Sequence, residues 1–156
     1  MGDLNGDDNL DIVAGNNGMG NVVYLNDGLA NFADARDFGP GSDATEAVAV
    51  GDLNGDGDLD IAAGNAGQQN VIYMNDGSGG FYTGTIDCAA PPDNARCFGT
   101  GTDETRSLAV GDLDGDGDMD IGAGNWDEQN AAYLNDGTGQ FSHTASFGTS
   151  EDSTTS

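Results

Sequence analysis

Gly51-Asp52-Leu53-Asn54-Gly55-Asp56-Gly57-Asp58-Leu59-Asp60-Ile61 sets an acid or amide at every second position of a glycine-punctuated loop, then turns apolar. The stretch occurs three times. Its counterparts are Gly2-Asp3-Leu4-Asn5-Gly6-Asp7-Asp8-Asn9-Leu10-Asp11-Ile12 and Gly111-Asp112-Leu113-Asp114-Gly115-Asp116-Gly117-Asp118-Met119-Asp120-Ile121, so the leading aspartates stand 49 and 60 residues apart. Each copy continues through Ala-Gly-Asn, a tyrosine (Tyr24, Tyr73, Tyr133), an Asn-Asp-Gly turn and a later Phe-Gly (Phe38, Phe98, Phe147). The middle copy is longer between Phe81 and Phe98, and that insertion holds Cys88 and Cys97. Self-similarity at such a period marks a chain built from repeated units. The repeats run 1–47, 48–107 with the insertion at 88–97, and 108–156.

One copy reads as four short strands. Ala47 to Val50 approach the acidic loop, Leu59 to Ala63 leave it, Asn70 to Met74 follow, and Phe81-Tyr82-Thr83 open a fourth after Asn75-Asp76-Gly77. These are β-rich runs bounded by Gly, Asn and Asp, and Asn-Asp-Gly suits a hairpin connection. No window carries helical periodicity without glycine interruption. The third strand is apolar on both faces, Val71 and Tyr73 on one and Ile72 and Met74 on the other, so it must be covered twice. The fold class is therefore all-β: four-stranded antiparallel sheets stacked face to face as propeller blades.

Three blades per chain are few for a closed ring, since propellers hold about four to eight. In repeat register Ser156 stands with Ala47 and Ser107, and Met1 with Val50 and Val110, so the cycle is cut inside a strand. The expectation is that the last segment of one copy completes the first blade of another. Two chains then give six blades, or head-to-tail contact grows a filament; alternatively the three repeats belong to a longer array.

Composition narrows the function. The chain has 28 acidic and 3 basic side chains and a formal charge of −25. Its cations, Arg36, Arg96 and Arg106, are scattered and there is no lysine, which excludes a phosphate-binding surface for nucleic acid and attraction to an anionic membrane. No apolar run is long enough for direct insertion in a bilayer as a helix. Only 27 of the 156 residues are Leu, Ile, Val or Phe, a proportion typical of disordered chains at such charge. Order then requires something that cancels the charge. An acidic, lysine-free surface also suits high salt, where self-repulsion is screened.

The acidic loop supplies the means. In the second copy Asp52, Asn54 and Asp56 offer side-chain oxygens at loop positions 1, 3 and 5, Asp58 a backbone carbonyl at 7, and Asp60 a carboxylate at 9. Ca²⁺ takes six to eight hard oxygens of this kind. The same positions are Asp3, Asn5, Asp7, Asn9 and Asp11 in the first copy and Asp112, Asp114, Asp116, Asp118 and Asp120 in the third. No His or Cys lies in the loops, which disfavours zinc and copper. An EF-hand expects an acid at position 12, where this chain has Ala14, Ala63 and Ala123.

The tripled Asp-x-Asn/Asp-x-Asp-x-x-x-Asp, followed by Asn-Asp-Gly, resembles the FG-GAP/VCBS repeat family, the calcium-loop blades of integrin α-chain propellers and of many bacterial surface proteins. The resemblance spans essentially the whole chain. It implies a β-propeller with about one Ca²⁺ in the hairpin loop of each blade, held by the residues just named. Asp8 departs from the pattern by replacing the glycine at position 6, a place that Asp tolerates because it visits the left-handed region.

Cys88 and Cys97 frame a proline-bearing loop and read as a disulfide, consistent with an oxidising, extracellular compartment. Weak calcium sites that fill only at millimolar calcium point the same way. His143 reads as a surface residue, and the chain is not read as an enzyme. The segments after the second strand differ among copies and hold Gln68, Gln69, Trp126 and Gln129, whose amides and ring could meet a sugar. The expected function is a calcium-binding extracellular β-propeller module with a structural or adhesive role. It forms a homo-oligomer or filament, with a glycan or another surface protein as partner; the alternative is a carbohydrate-binding, lectin-like propeller.

Overall fold

The computed structural model describes residues 1–149. Three antiparallel sheets follow one another along the chain. The first holds β1 (Ile12–Ala14), β2 (Asn21–Leu25) and β3 (Asp34–Phe38). The second holds β4 (Thr45–Gly51), β5 (Asp60–Asn65), β6 (Asn70–Tyr73) and β7 (Ala95–Phe98). The third holds β8 (Thr105–Gly111), β9 (Asp120–Asn125), β10 (Asn130–Asn135) and β11 (Phe141–Phe147). Each is a meander in chain order, and no helix occurs among the described residues. The architecture is all-β with blade-like sheets, as the alternation of short apolar runs and turn residues dictates.

The apolar cores lie between the sheets. One cluster joins Leu4, Val23, Leu25 and Phe38 of the first blade to Ile61, Val71 and Tyr73 of the second. The other joins Leu53, Ile72, Met74 and Phe98 to Ile121, Ala131 and Tyr133 of the third. Val71 and Tyr73 therefore face one neighbour while Ile72 and Met74 face the other, which is why both faces of β6 are apolar. The boundaries are close. A Cβ on Gly64 would meet Thr105 Cγ2 at 2.7 Å, and one on Gly15 would meet Thr45 Cγ2 at 2.7 Å, so β4 and β8 each lie directly on the preceding sheet.

A buried polar chain crosses each boundary. Asn21 Nδ2 donates to Thr45 Oγ1 (3.0 Å), whose hydroxyl donates to Asn65 Oδ1 (2.8 Å). Asn70 Nδ2 likewise donates to Thr105 Oγ1 (2.9 Å), which donates to Asn125 Oδ1 (3.0 Å). Both threonines are buried, so each bond forms where water is excluded and satisfies groups whose burial alone would cost free energy.

The fourth strand of the middle copy corrects the sequence reading. Phe81-Tyr82-Thr83 is not a strand; β7 at Ala95–Phe98 pairs with β6 instead. Tyr82 O accepts a bond from Gly39 N of the first blade (2.8 Å), and Phe81 and Tyr82 pack on the first boundary core. That segment is thus spent on the neighbouring blade, and the partner of β6 comes from beyond the insertion. The repeat frame of 48–107 and 108–156 opens inside β4 and β8. The first sheet lacks a counterpart of β4 or β8 among the described residues. Its expected completion by the last segment of another copy falls largely on residues 150–156, outside the described residues.

Cys88 and Cys97 form a disulfide at a Cα separation of 5.7 Å. Closing a loop of this length restricts the unfolded chain by about 2.5 kcal/mol in the loop-entropy model. The double substitution Cys88→Ser/Cys97→Ser should lower the unfolding free energy by about that amount in urea denaturation; an unchanged midpoint would contradict it.

Candidate metal centre

Each acidic loop is a succession of side-chain-to-backbone turns. Asp52 Oδ1 accepts from the backbone N–H of Gly55 (2.8 Å) and Asp56 (3.2 Å), and its Oδ2 from Gly57 (3.0 Å). Asn54 Oδ1 accepts from Asp56 N (3.0 Å), and Asp56 Oδ1 from Asp58 N (2.9 Å). The first and third loops repeat this pattern. Position 6 needs a positive φ, supplied by Gly57 at 96° and Gly117 at 99°. Asp8 adopts φ 67° in the first loop, as its short polar side chain permits.

The side chains at positions 1, 3 and 5 converge. In the third loop one oxygen each of Asp112, Asp114 and Asp116 lies within 4.8 Å of the others. In the first two loops position 3 is an amide, and Asn5 and Asn54 donate Nδ2 to Asp7 Oδ2 (3.1 Å) and Asp56 Oδ2 (2.9 Å). The third loop has no such donor, so its carboxylates repel. Loss of water around Asp114, opposed by its bond from Asp116 N–H, raises its affinity for a proton, and repulsion from Asp116, Asp120 and Asp112 raises it further. Asp118 is raised by loss of water and then by repulsion from Asp116, Asp112, Asp120 and Asp136.

Positions 7 and 9 flank this convergence and have further partners. Asp58 and Asp118 turn their carboxylates toward Gly77 and Gly137 of the following hairpin, and Asn9 turns its amide toward Gly28. That orientation agrees with position 7 offering its backbone carbonyl. Position 9 is a buried strut. Asp60 accepts from Leu53 N (3.0 Å) and Asn75 N (2.8 Å), tying the loop to the hairpin between β6 and β7. Asp11 and Asp120 do the same with Leu4 and Asn26, and with Leu113 and Asn135. Burial pushes the Asp60 carboxyl up to about 6, against those two N–H bonds and with repulsion from Asp56 and Asp52.

Sequence reasoning took Asn-Asp-Gly as a turn alone and missed what its asparagine does. Asn75 Nδ2 donates to Leu59 O of its own loop (2.9 Å) and to Leu4 O of the preceding blade (2.8 Å). Asn135 repeats this with Met119 O and Leu53 O. The invariance of that asparagine across the three copies, where a turn alone would accept Asp or Gly, was the available signal.

The remaining candidates do not gather into one site. Gln68 Oε1 accepts from Ala44 N (2.7 Å), Gln69 Nε2 donates to Phe98 O (2.5 Å), and Gln129 Nε2 to Gly148 O (3.4 Å). These amides are occupied in joining segments, while Trp126 is exposed directly after β9. His143 Nε2 lies 3.0 Å from Ser146 Oγ on the surface of β11. No helix among the described residues is long and apolar enough to cross a membrane.

A family model described as FG-GAP-like repeat matches the chain three times, at residues 3–63, 52–123 and 112–156. No curated protein and no solved structure matches it.

Because Asp60 holds a proton more readily folded than unfolded, its contribution favours the metal-free fold at low pH and is lost as pH rises through about 6. Metal-free protein should therefore gain thermal stability as pH falls from neutrality toward about 5. A melting temperature that drops over that interval would contradict this assignment.

Proposed function

The chain belongs to the FG-GAP-like repeat family, and on that premise we propose that it is a calcium-stabilised propeller module with a structural or adhesive role outside the cell. The observation that carries the proposal is the convergence of Asp112, Asp114 and Asp116 within 4.8 Å in a loop whose fold repeats twice more. Hard oxygen donors with no nitrogen or sulfur fit Ca²⁺ better than softer ions. Mg²⁺ dehydrates reluctantly and fits a dedicated protein cage less well. The side chains at positions 1, 3, 5 and 9 would hold the ion with the carbonyl at position 7, and the ion would supply positive charge where carboxylates crowd. Asp11, Asp60 and Asp120 transmit that ordering, since each carboxylate joins its loop to the next hairpin through two backbone N–H bonds.

Sites of about 10⁻⁴ M, typical of extracellular modules, would be largely filled at millimolar calcium. At tenfold excess over Kd each contributes about 1.4 kcal/mol. The disulfide fits the same compartment. The module self-associates through the first sheet, whose β1 lacks an inner neighbour among the described residues, by accepting a strand from a second copy.

Isothermal titration should give about three calcium ions per chain. Asp112→Asn/Asp116→Asn should remove one and leave two. A titration without heat, or a stoichiometry that the double variant leaves unchanged, would overturn the assignment.

A further inference from the structure

We infer that a second copy of this chain docks head to tail, the outer face of the third sheet of one copy receiving the open face of the first sheet of the next. The inference rests on the self-association proposed above and names the surfaces that carry it.

The two boundaries inside the chain are built from the same parts. At the first, Leu4 is capped by Asn75 Nδ2 on its carbonyl (2.8 Å), and Phe38 meets Tyr73 edge-on at 5.3 Å. At the second, Leu53 is capped by Asn135 Nδ2 (2.9 Å), and Phe98 meets Tyr133 edge-on at 5.3 Å. Leu4 and Leu53 are 1% and 0% exposed, and Phe38 and Phe98 are 0% and 3% exposed. Their counterparts on the third sheet, Leu113 and Phe147, are 57% and 50% exposed. The third sheet thus presents the apolar half of a boundary with nothing described on it.

The first sheet presents the other half. Tyr24, in register with Tyr73 and Tyr133, is only half-buried. Asn26 Nδ2 donates to Leu10 O (3.1 Å), as Asn75 does to Leu59 O, and has no second acceptor equivalent to Leu4 O among the described residues. Asn16 is held like Asn65, its backbone N–H donating to Asn21 Oδ1 (2.7 Å) and its Nδ2 to Gly20 O (2.7 Å). Its Oδ1 takes no threonine hydroxyl among the described residues, whereas Asn65 and Asn125 take Thr45 and Thr105. Each molecule therefore carries both halves of a boundary whose geometry is already realised twice within it. In the docked pair Phe147 meets the partner's Tyr24, and the partner's Asn26 caps Leu113 O. Such a contact is heterologous, closing into a ring or extending as a filament according to its rotation.

One position is imperfect. Ala30 stands where Gly79 and Gly139 lie, and a Cβ there would meet Leu25 Cδ2 at 3.3 Å and Met74 Cε at 2.5 Å in the internal boundaries. Both are ends of flexible side chains, with the carbonyl oxygens of Leu4 and Leu53 next at 3.4 and 3.3 Å, so the docked copy accommodates Ala30 by turning Leu134 and yielding slightly at Leu113 O, and Ala30→Gly should tighten association.

Light scattering during size exclusion, in calcium, tests the inference on the whole chain. Wild type should run at two or more times 15.8 kDa. Phe147→Asp, which spoils the third-sheet face, and Tyr24→Asp, which spoils the first-sheet face, should each run as monomers with unchanged circular dichroism and calcium-dependent melting. Val22→Asp replaces Tyr24→Asp should the latter fail to fold. Mixed together, the two variants should form a one-to-one dimer, because each retains the face that the other lost. A wild-type monomer at high micromolar concentration leaves these faces to another repeat or another protein, and overturns both the inference and the self-association it rests on. An oligomer that survives Phe147→Asp overturns the docking face while leaving self-association intact. Monomeric variants that stay monomeric when mixed overturn the head-to-tail geometry.

Discussion

Repulsion among carboxylates is the constraint on which the structure depends. A chain with charge −25 and few large apolar side chains resists compaction, yet its acids are concentrated where the backbone turns most tightly. The backbone N–H groups of each loop point at the leading aspartate and meet part of the charge, but they leave Asp112, Asp114 and Asp116 facing one another. A divalent cation at that point would remove the repulsion and fix the loop. The loop is in turn the anchor of its blade, since the buried position-9 carboxylate holds the first turn and the distant hairpin at once.

The apolar cores sit between blades, which makes the boundary the unit of stability. Each boundary combines a Phe–Tyr edge-on pair, joined at the first by Phe81, with one leucine capped by an asparagine and one Asn–Thr–Asn hydrogen-bond chain. Arg106 of β8 adds an ion pair to Glu46 of β4 (3.3 Å), a partly exposed contact that contributes little beside the buried polar chain. In arrays of this kind stability is close to a sum of unit and nearest-neighbour terms. The two end faces differ from the inner ones in having no neighbour among the described residues, which is the physical basis of the proposed self-docking.

Much of this was legible in the sequence. Alternating acids around position-6 glycines located the loops, and the two-sided apolar pattern of Val71 to Met74 required cover on both faces of β6, as the two core clusters provide. Asp8 adopts the positive φ expected of it. The fourth strand of the middle copy was not legible, because Phe81 and Tyr82 have strand-like composition while the partner that claims them, Gly39, lies in another blade. Nor could sequence show the structural task that position 9 performs. All the alternate loop positions carry oxygen donors, and only the tertiary placement of Leu53 N and Asn75 N shows that Asp60 is buried as a strut. For Gln68, Gln69 and Gln129, composition indicated adaptable amides, whereas the fold has given them backbone partners.

Amide hydrogen exchange at Leu53 and Asn75, the two N–H groups that Asp60 accepts, tests the central claim most directly. The measurement compares calcium with chelator at matched ionic strength. The account predicts strong protection with calcium and its loss, together with that of the β5–β6 amides, when the ion is withdrawn. Equal protection in both conditions would show that the loops order themselves without a cation and would contradict it.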